Sequence, residues 1–206
     1  MTTTFKYVLL LILVVILAAP FLFIENISGI LFGFVGTNYI LASFIYILLL
    51  VASVVLAPFT MPLFLVSGGI FGPMVASIYN IVGWGIGAIA AFLLARLLGR
   101  PALSKFVSLK RIDEYEEKIP KDIEFWGIVL LRIIVPVDLL SYFLGFFSSI
   151  SFSRYTVATF IGIAPFAIIF AYGGSALFEG RYIVTFFAIL SAIVFGVLGF
   201  YFLKSK

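Results

Sequence analysis

The sequence predicts an all-α integral membrane protein of about five transmembrane helices plus two opposed re-entrant hairpins related as an inverted repeat. Three observations predict it. Of 206 residues, 64% are hydrophobic and only 11% charged, against roughly 45–50% apolar and about 25% charged in soluble domains. The apolar residues fall into runs of about twenty, the length that crosses a bilayer core. Two further apolar segments are interrupted by proline and glycine. Broken backbone at membrane depth is tolerated only where it is buried in protein or lines a watery cavity, so each interrupted segment reads as a re-entrant hairpin.

The elements follow in order. Phe5 to Phe23 is apolar apart from Lys6 and spans about 28 Å as a helix. A cleaved signal peptide is the alternative for this run, but no clean A-x-A site follows it. After a connector punctuated by Gly and Asn, Tyr39 to Ala57 forms a second run. "APFTMPLFLVSGGIFGP" then holds Pro58, Pro62, Gly68, Gly69, Gly72 and Pro73, which no helix of ordinary stability carries without a break. Pro58 to Gly72 is the first hairpin, formed by Pro58, Pro62, Gly68 and Gly69. Met74 to Leu98 is the next span, and its Gly83, Gly85 and Gly87 permit close helix contact.

Charge arrives after Arg96 and Arg100. Leu109, Ile112, Tyr115, Ile119 and Ile123 recur at steps of three and four residues, as expected of an amphipathic helix at the membrane surface. "LLRIIVPVDLLSYFLG" is the second interrupted segment, with Pro136 making the break and Gly145 letting the chain return. Tyr155 to Tyr172, containing Pro165, and Tyr182 to Leu203 are the last spans. The expected division is N-terminal transmembrane helices over 1–56, a central unit with both hairpins over 57–175, and a C-terminal transmembrane helix over 176–206.

Composition also excludes chemistry. There is no cysteine and no histidine, so thiolate and histidine metal sites, disulfides and the Ser-His couple are absent, and no cofactor or metal is expected. No pattern supports an enzyme. The net charge of +4 comes from basic residues gathered at the membrane edges, which suits anionic headgroups rather than nucleic acid. Arg96 to Lys121 holds seven basic residues and the C-terminus two more, so the positive-inside rule puts both on the cytoplasmic side. With five spans that sends the N-terminus outside, against the hint from Lys6.

An internal repeat organises the chain. Gly68 and Gly145 each lie in a broken apolar segment. Each is followed by a spanning helix carrying a further glycine, Gly83 and Gly162, fifteen and seventeen residues on. Interrupted segments at corresponding places in two halves point to a transporter with a midplane site between inverted repeats.

The series "SGGIFGP…GWGIGAIAAFLLARLLGR…FWGIVLLRIIVPVDLLSYFLGFFSSISFSRYTVATFIGIAP" resembles the DedA/VTT-domain superfamily, also called SNARE-associated Golgi protein-like, over roughly Ala57 to Ser175. It looks closer to the subgroup of yeast Golgi and vertebrate VTT proteins than to bacterial DedA proper. The resemblance implies two facing re-entrant hairpins and movement of lipids across the bilayer, either scrambling or recycling of polyprenyl-phosphate carriers. By position Arg132 matches the family's arginine in the second hairpin. Pro136 and Gly145 match its proline and glycine, Asp138 an acidic position of the subgroup, and Arg96 the arginine ending the helix after the first hairpin. The bacterial proteins also carry an acid in their first hairpin, where "PFTMPLFLVSGG" has none, and Glu25 lies a whole helix too early to replace it. Proton coupling is therefore not implied.

Arg132 and Asp138 are the expected lipid phosphate-binding residues. An isolated charge at the bilayer centre costs about 2.5–3.5 kcal/mol on insertion scales, so Arg132 needs a partner or water. On an unbroken helix the six-residue separation would leave the two side chains about 120° out of alignment. A break at Pro136 lets both heads share one cavity. Arg132 offers a planar donor fork to phosphate, with Asp138 orienting it or carrying a proton. A salt bridge that merely closes the hairpin is the competing reading. Arg96 and Arg100 are expected to contact headgroups. The function expected is a lipid transporter or scramblase for phospholipid or polyprenyl phosphate in the cell membrane, partnered by membrane lipids and compatible with a homo-oligomer. A proton- or cation-coupled transporter of a small solute is the alternative.

Overall fold

The computed structural model describes residues 33, 36, 38–56, 60–103, 125–134 and 137–204. The first expected span, the amphipathic surface helix, Glu25, Pro58 and Pro136 lie outside the described residues. Within them the chain forms seven helices and no strand.

Helix α1 (Tyr39–Leu56) starts at Asn38, whose side-chain oxygen accepts from the Leu41 N–H at 3.0 Å, the bond that satisfies an otherwise orphaned first-turn donor. Its buried stripe of Ala42, Tyr46, Leu50 and Val54 repeats every four residues, one face of a helix. Helix α2 (Met61–Phe71) runs uninterrupted through Pro62, Gly68 and Gly69. Pro62 sits in its first turn, where a missing N–H costs nothing. Gly68 and Gly69 are helical and serve packing. The chain turns instead at Gly72, whose φ of 76° is open to glycine but strained for side chains with a Cβ.

Helix α3 (Pro73–Leu103) begins at once and kinks at Gly99, where φ is 56°. Its contacts with α1 advance in step. Tyr46 meets Asn80, and Cβ atoms built at Gly83 and Gly87 would stand 2.8 Å from Leu50 Cδ2 and 2.7 Å from Val54 Cβ. The two helices therefore run parallel. Contacts of α2 with α3 run the other way, Phe64 with Trp84 and Ser67 with Asn80. At about 16 Å long, α2 is a half-length return between two parallel crossings, the geometry of a re-entrant segment.

The second half repeats the plan. Helices α4 (Phe125–Ile134) and α5 (Val137–Phe147) are both half-length, and α6 (Phe152–Phe178) is a full crossing. Gly145, expected at a turn, lies inside α5. Helix α6 ends at Gly180 (φ 73°), with the Arg181 N–H donating to the Ala176 carbonyl at 2.8 Å, a glycine-terminated helix end. Helix α7 (Tyr182–Lys204) closes the chain. Of the five expected spans, α1, α3 (as Pro73–Gly99) and α6 are long and apolar enough to cross a bilayer among the described residues.

The halves interlock. The long helices α3 and α6 pack together, α2 lies chiefly on α6, and α5 on α3. The half-length helices α2 and α5 are thus each held by the long helix of the other half. Small residues make this possible: a Cβ at Gly68 would collide with the Ala171 carbonyl, and one at Gly174 with the Leu65 carbonyl. A Cβ at Gly145 would stand 2.5 Å from the Phe92 carbonyl oxygen. Close backbone approach at glycine is how helices associate where lipid removes the hydrophobic drive between them.

Candidate functional site

Arg132 stands in the last turn of α4, where unpaired helix carbonyls favour a cation. It is 2% exposed and, among the described residues, the one charged side chain in the core. Its stem fits because α6 carries Gly162 opposite: a Cβ there would stand 2.9 Å from Arg132 Cβ and 3.4 Å from the Val129 carbonyl. In the first half a comparable contact is Val54 against Gly87. Val54 and Arg132 each lie two residues before the end of their helix.

Three helices supply the surroundings of the guanidinium. Arg132 Nη2 donates to the Tyr155 hydroxyl oxygen of α6 at 2.8 Å, a short charge-assisted bond. The Tyr155 hydroxyl donates onward to the Ala88 carbonyl of α3, also at 2.8 Å. Nη1 and Nη2 both point to Ser141 Oγ of α5, each at 3.4 Å, the long end of the hydrogen-bond range. The guanidinium carbon also lies 5.2 Å from the centre of the Tyr155 ring, a cation–π distance. That ring stacks on Phe92 of α3 at 3.9 Å and 16°. Arg132 therefore sits on the seam between the α4–α6 pair and the α3–α5 pair, and α4 and α5 themselves pack little on one another.

The other expected site residues fall as follows. Asp138 is the second residue of α5; its side chain lies outside the described residues, as does that of Arg100. Arg96, expected among headgroups, is exposed and also bonded to protein: Nη1 donates to the Ile150 carbonyl at 2.9 Å and Nη2 to that of Ser148 at 2.8 Å. Its guanidinium also lies 4.6 Å above the Phe92 ring. Arg96 thus ties the α5–α6 connector to the end of α3.

The first half holds a polar cluster of its own, without charge. Tyr46 bonds to the Asn80 side chain at 2.5 Å and to the Leu63 carbonyl at 3.2 Å. Ser67 donates to the Phe64 carbonyl at 2.8 Å and lies 3.1 Å from Asn80 Oδ1. Tyr155, Ser141, Tyr46 and Asn80 escaped the sequence reading. Asn80 alone carried a signal, a lone amide within an apolar run.

A bundle of interlocked helices with half-length returns, packed around a buried arginine, defines an integral membrane protein with a permanent charge in its core. The sequence model of the VTT domain matches residues 57–176, more than half of the chain, and the protein belongs to that family, the DedA/SNARE-associated Golgi protein family. Its members are generally membrane proteins proposed as transporters or lipid flippases. Comparison with curated proteins and with solved structures found no match.

Proposed function

We propose that the protein moves phosphate-bearing lipids, phospholipid or polyprenyl phosphate, across the cell membrane, and that Arg132 receives the phosphate. The observation that carries this is the geometry of its fork. Both terminal nitrogens of a core arginine face one serine oxygen at 3.4 Å, the arrangement in which a guanidinium takes an anionic oxygen. A phosphate oxygen in the place of Ser141 Oγ exchanges a long contact to a neutral acceptor for shorter ones in which both partners are charged. Asp138, at the start of α5, is assigned to orient the fork.

The test is reconstitution into liposomes with fluorescent phospholipid or with polyprenyl phosphate. Arg132→Ala is expected to lower lipid movement at least tenfold for both, because one charge-assisted pair contributes about 1.5–3 kcal/mol. Wild-type protein that moves neither lipid, or an Arg132→Ala variant as fast as wild type, refutes the proposal.

A further inference from the structure

We propose that Tyr155 is a positioning residue for the lipid phosphate: it holds the Arg132 guanidinium turned towards the place of Ser141 Oγ while a phosphate oxygen enters that place. The inference rests on Arg132 as the phosphate receptor and goes one step further, separating the contact that stays from the contact that yields.

The proton count fixes the direction of the chain of bonds. A guanidinium has only donors, so at 2.8 Å the Tyr155 oxygen must accept from Arg132 Nη2. Its single proton is left for the Ala88 carbonyl, which only accepts, at 2.8 Å. Tyr155 is therefore pinned at both sides of its hydroxyl. Its ring is pinned as well, between the Phe92 face at 3.9 Å and the Arg132 guanidinium at 5.2 Å. It is wholly buried, on a full-length helix that packs against α3.

Ser141 is the opposite case. It reaches Arg132 at 3.4 Å from a half-length helix that packs little on α4, and its hydroxyl is neutral. An arriving phosphate competes with Ser141 and leaves Tyr155 in place. Tyr155 then does for the bound state what it does here, keeping one Nη committed so that the fork cannot rotate away.

The experiment measures thermal stability of the purified full-length protein in neutral detergent against increasing dodecyl phosphate, a single-chain phosphate monoester, since a ligand that binds the folded state raises the melting temperature. Wild type is expected to be stabilised and Arg132→Ala not. Tyr155→Phe keeps the ring and its stack but removes the hydroxyl, and is expected to weaken the apparent affinity about tenfold, the worth of one charge-assisted bond. Adding it to Arg132→Ala is expected to change nothing more, because the two act as one unit. Ser141→Ala, which takes away the competing oxygen, is expected to bind as tightly as wild type or tighter, and it keeps the test open if Tyr155→Phe folds poorly. Tyr155→Phe with wild-type affinity, or with a lower starting melting temperature and unchanged affinity, overturns the role of Tyr155 and leaves Arg132 standing. Weaker binding by Ser141→Ala overturns the exchange. An Arg132→Ala variant stabilised like wild type, or a wild type not stabilised at all, overturns both readings.

Discussion

Gly145→Ala tests the interlocking of the halves where α5 meets α3. The new Cβ would stand 2.5 Å from the Phe92 carbonyl oxygen and 2.6 Å from Ala95 Cβ. Neither atom can swing away, since one is backbone and the other is fixed to it, so α5 must back off α3 by about 1 Å to reach ordinary contact. Overpacking of this kind costs about 1–3 kcal/mol, while alanine returns up to about 1 kcal/mol of helix propensity. The net expectation is a loss of about 1–2 kcal/mol, seen as a fall of about 2–8 °C in the melting temperature of the purified protein. Ala95→Gly in the same background removes one of the two obstructions and is expected to restore part of the loss, the carbonyl remaining. Because α5 also carries Ser141, the Arg132 site loosens with it. A Gly145→Ala protein as stable as wild type, or more stable, would refute the claim that α5 is held by backbone approach to α3.

Two further outcomes follow from other contacts. Arg96→Lys keeps the charge but cannot bridge two carbonyls with a planar fork, so amide hydrogen exchange over residues 148–151 is expected to accelerate while helices α3 and α6 stay protected; unchanged exchange would show that Arg96 does not hold the connector. Gly72→Ala places a Cβ at φ 76° and ψ 162°, a region reserved essentially to glycine and costing about 1–3 kcal/mol, although the site is otherwise open; the melting temperature is expected to fall without any change in the phosphate-dependent stabilisation.

Long unbroken runs were legible: α1, α3 and α6 stand where apolar length alone puts them. Interruption was legible too, but not its position. Gly68, Gly69 and Gly145 read as breaks because glycine is a poor helix residue, whereas in the fold Gly68 and Gly145 admit carbonyls of the opposite half. Tertiary packing overrode propensity there, and nothing local distinguishes a packing glycine from a turning one until a positive φ appears, as at Gly72. At the site, Arg132 was legible because charge in an apolar run is costly wherever it lies. Tyr155 and Ser141 were not, since a tyrosine near a helix start reads as interfacial and a serine in a membrane helix is ordinary. The carbonyl partners of Arg96 were not legible because they lie 52 and 54 residues away.

The two halves share a plan and differ, among the described residues, in buried charge. Val54 on Gly87 and Arg132 on Gly162 each set a side chain near a helix end against a glycine of a long helix, and the second carries charge. The first half answers with Tyr46, Ser67 and Asn80, which bond to one another and to the carbonyls of α2, so its half-length helix is tied down by neutral bonds. In the second half the bonds of Arg132 run outward, to α5 through Ser141 and through Tyr155 to α3 of the other half. The direct partners Ser141 and Tyr155 belong to the same half as Arg132, and the Ala88 carbonyl beyond Tyr155 belongs to the other. Among the described helices α4 and α5 are little packed on each other, while α3 and α6 are packed closely, so Arg132 crosses a loose joint of the second half beside a close contact with the first.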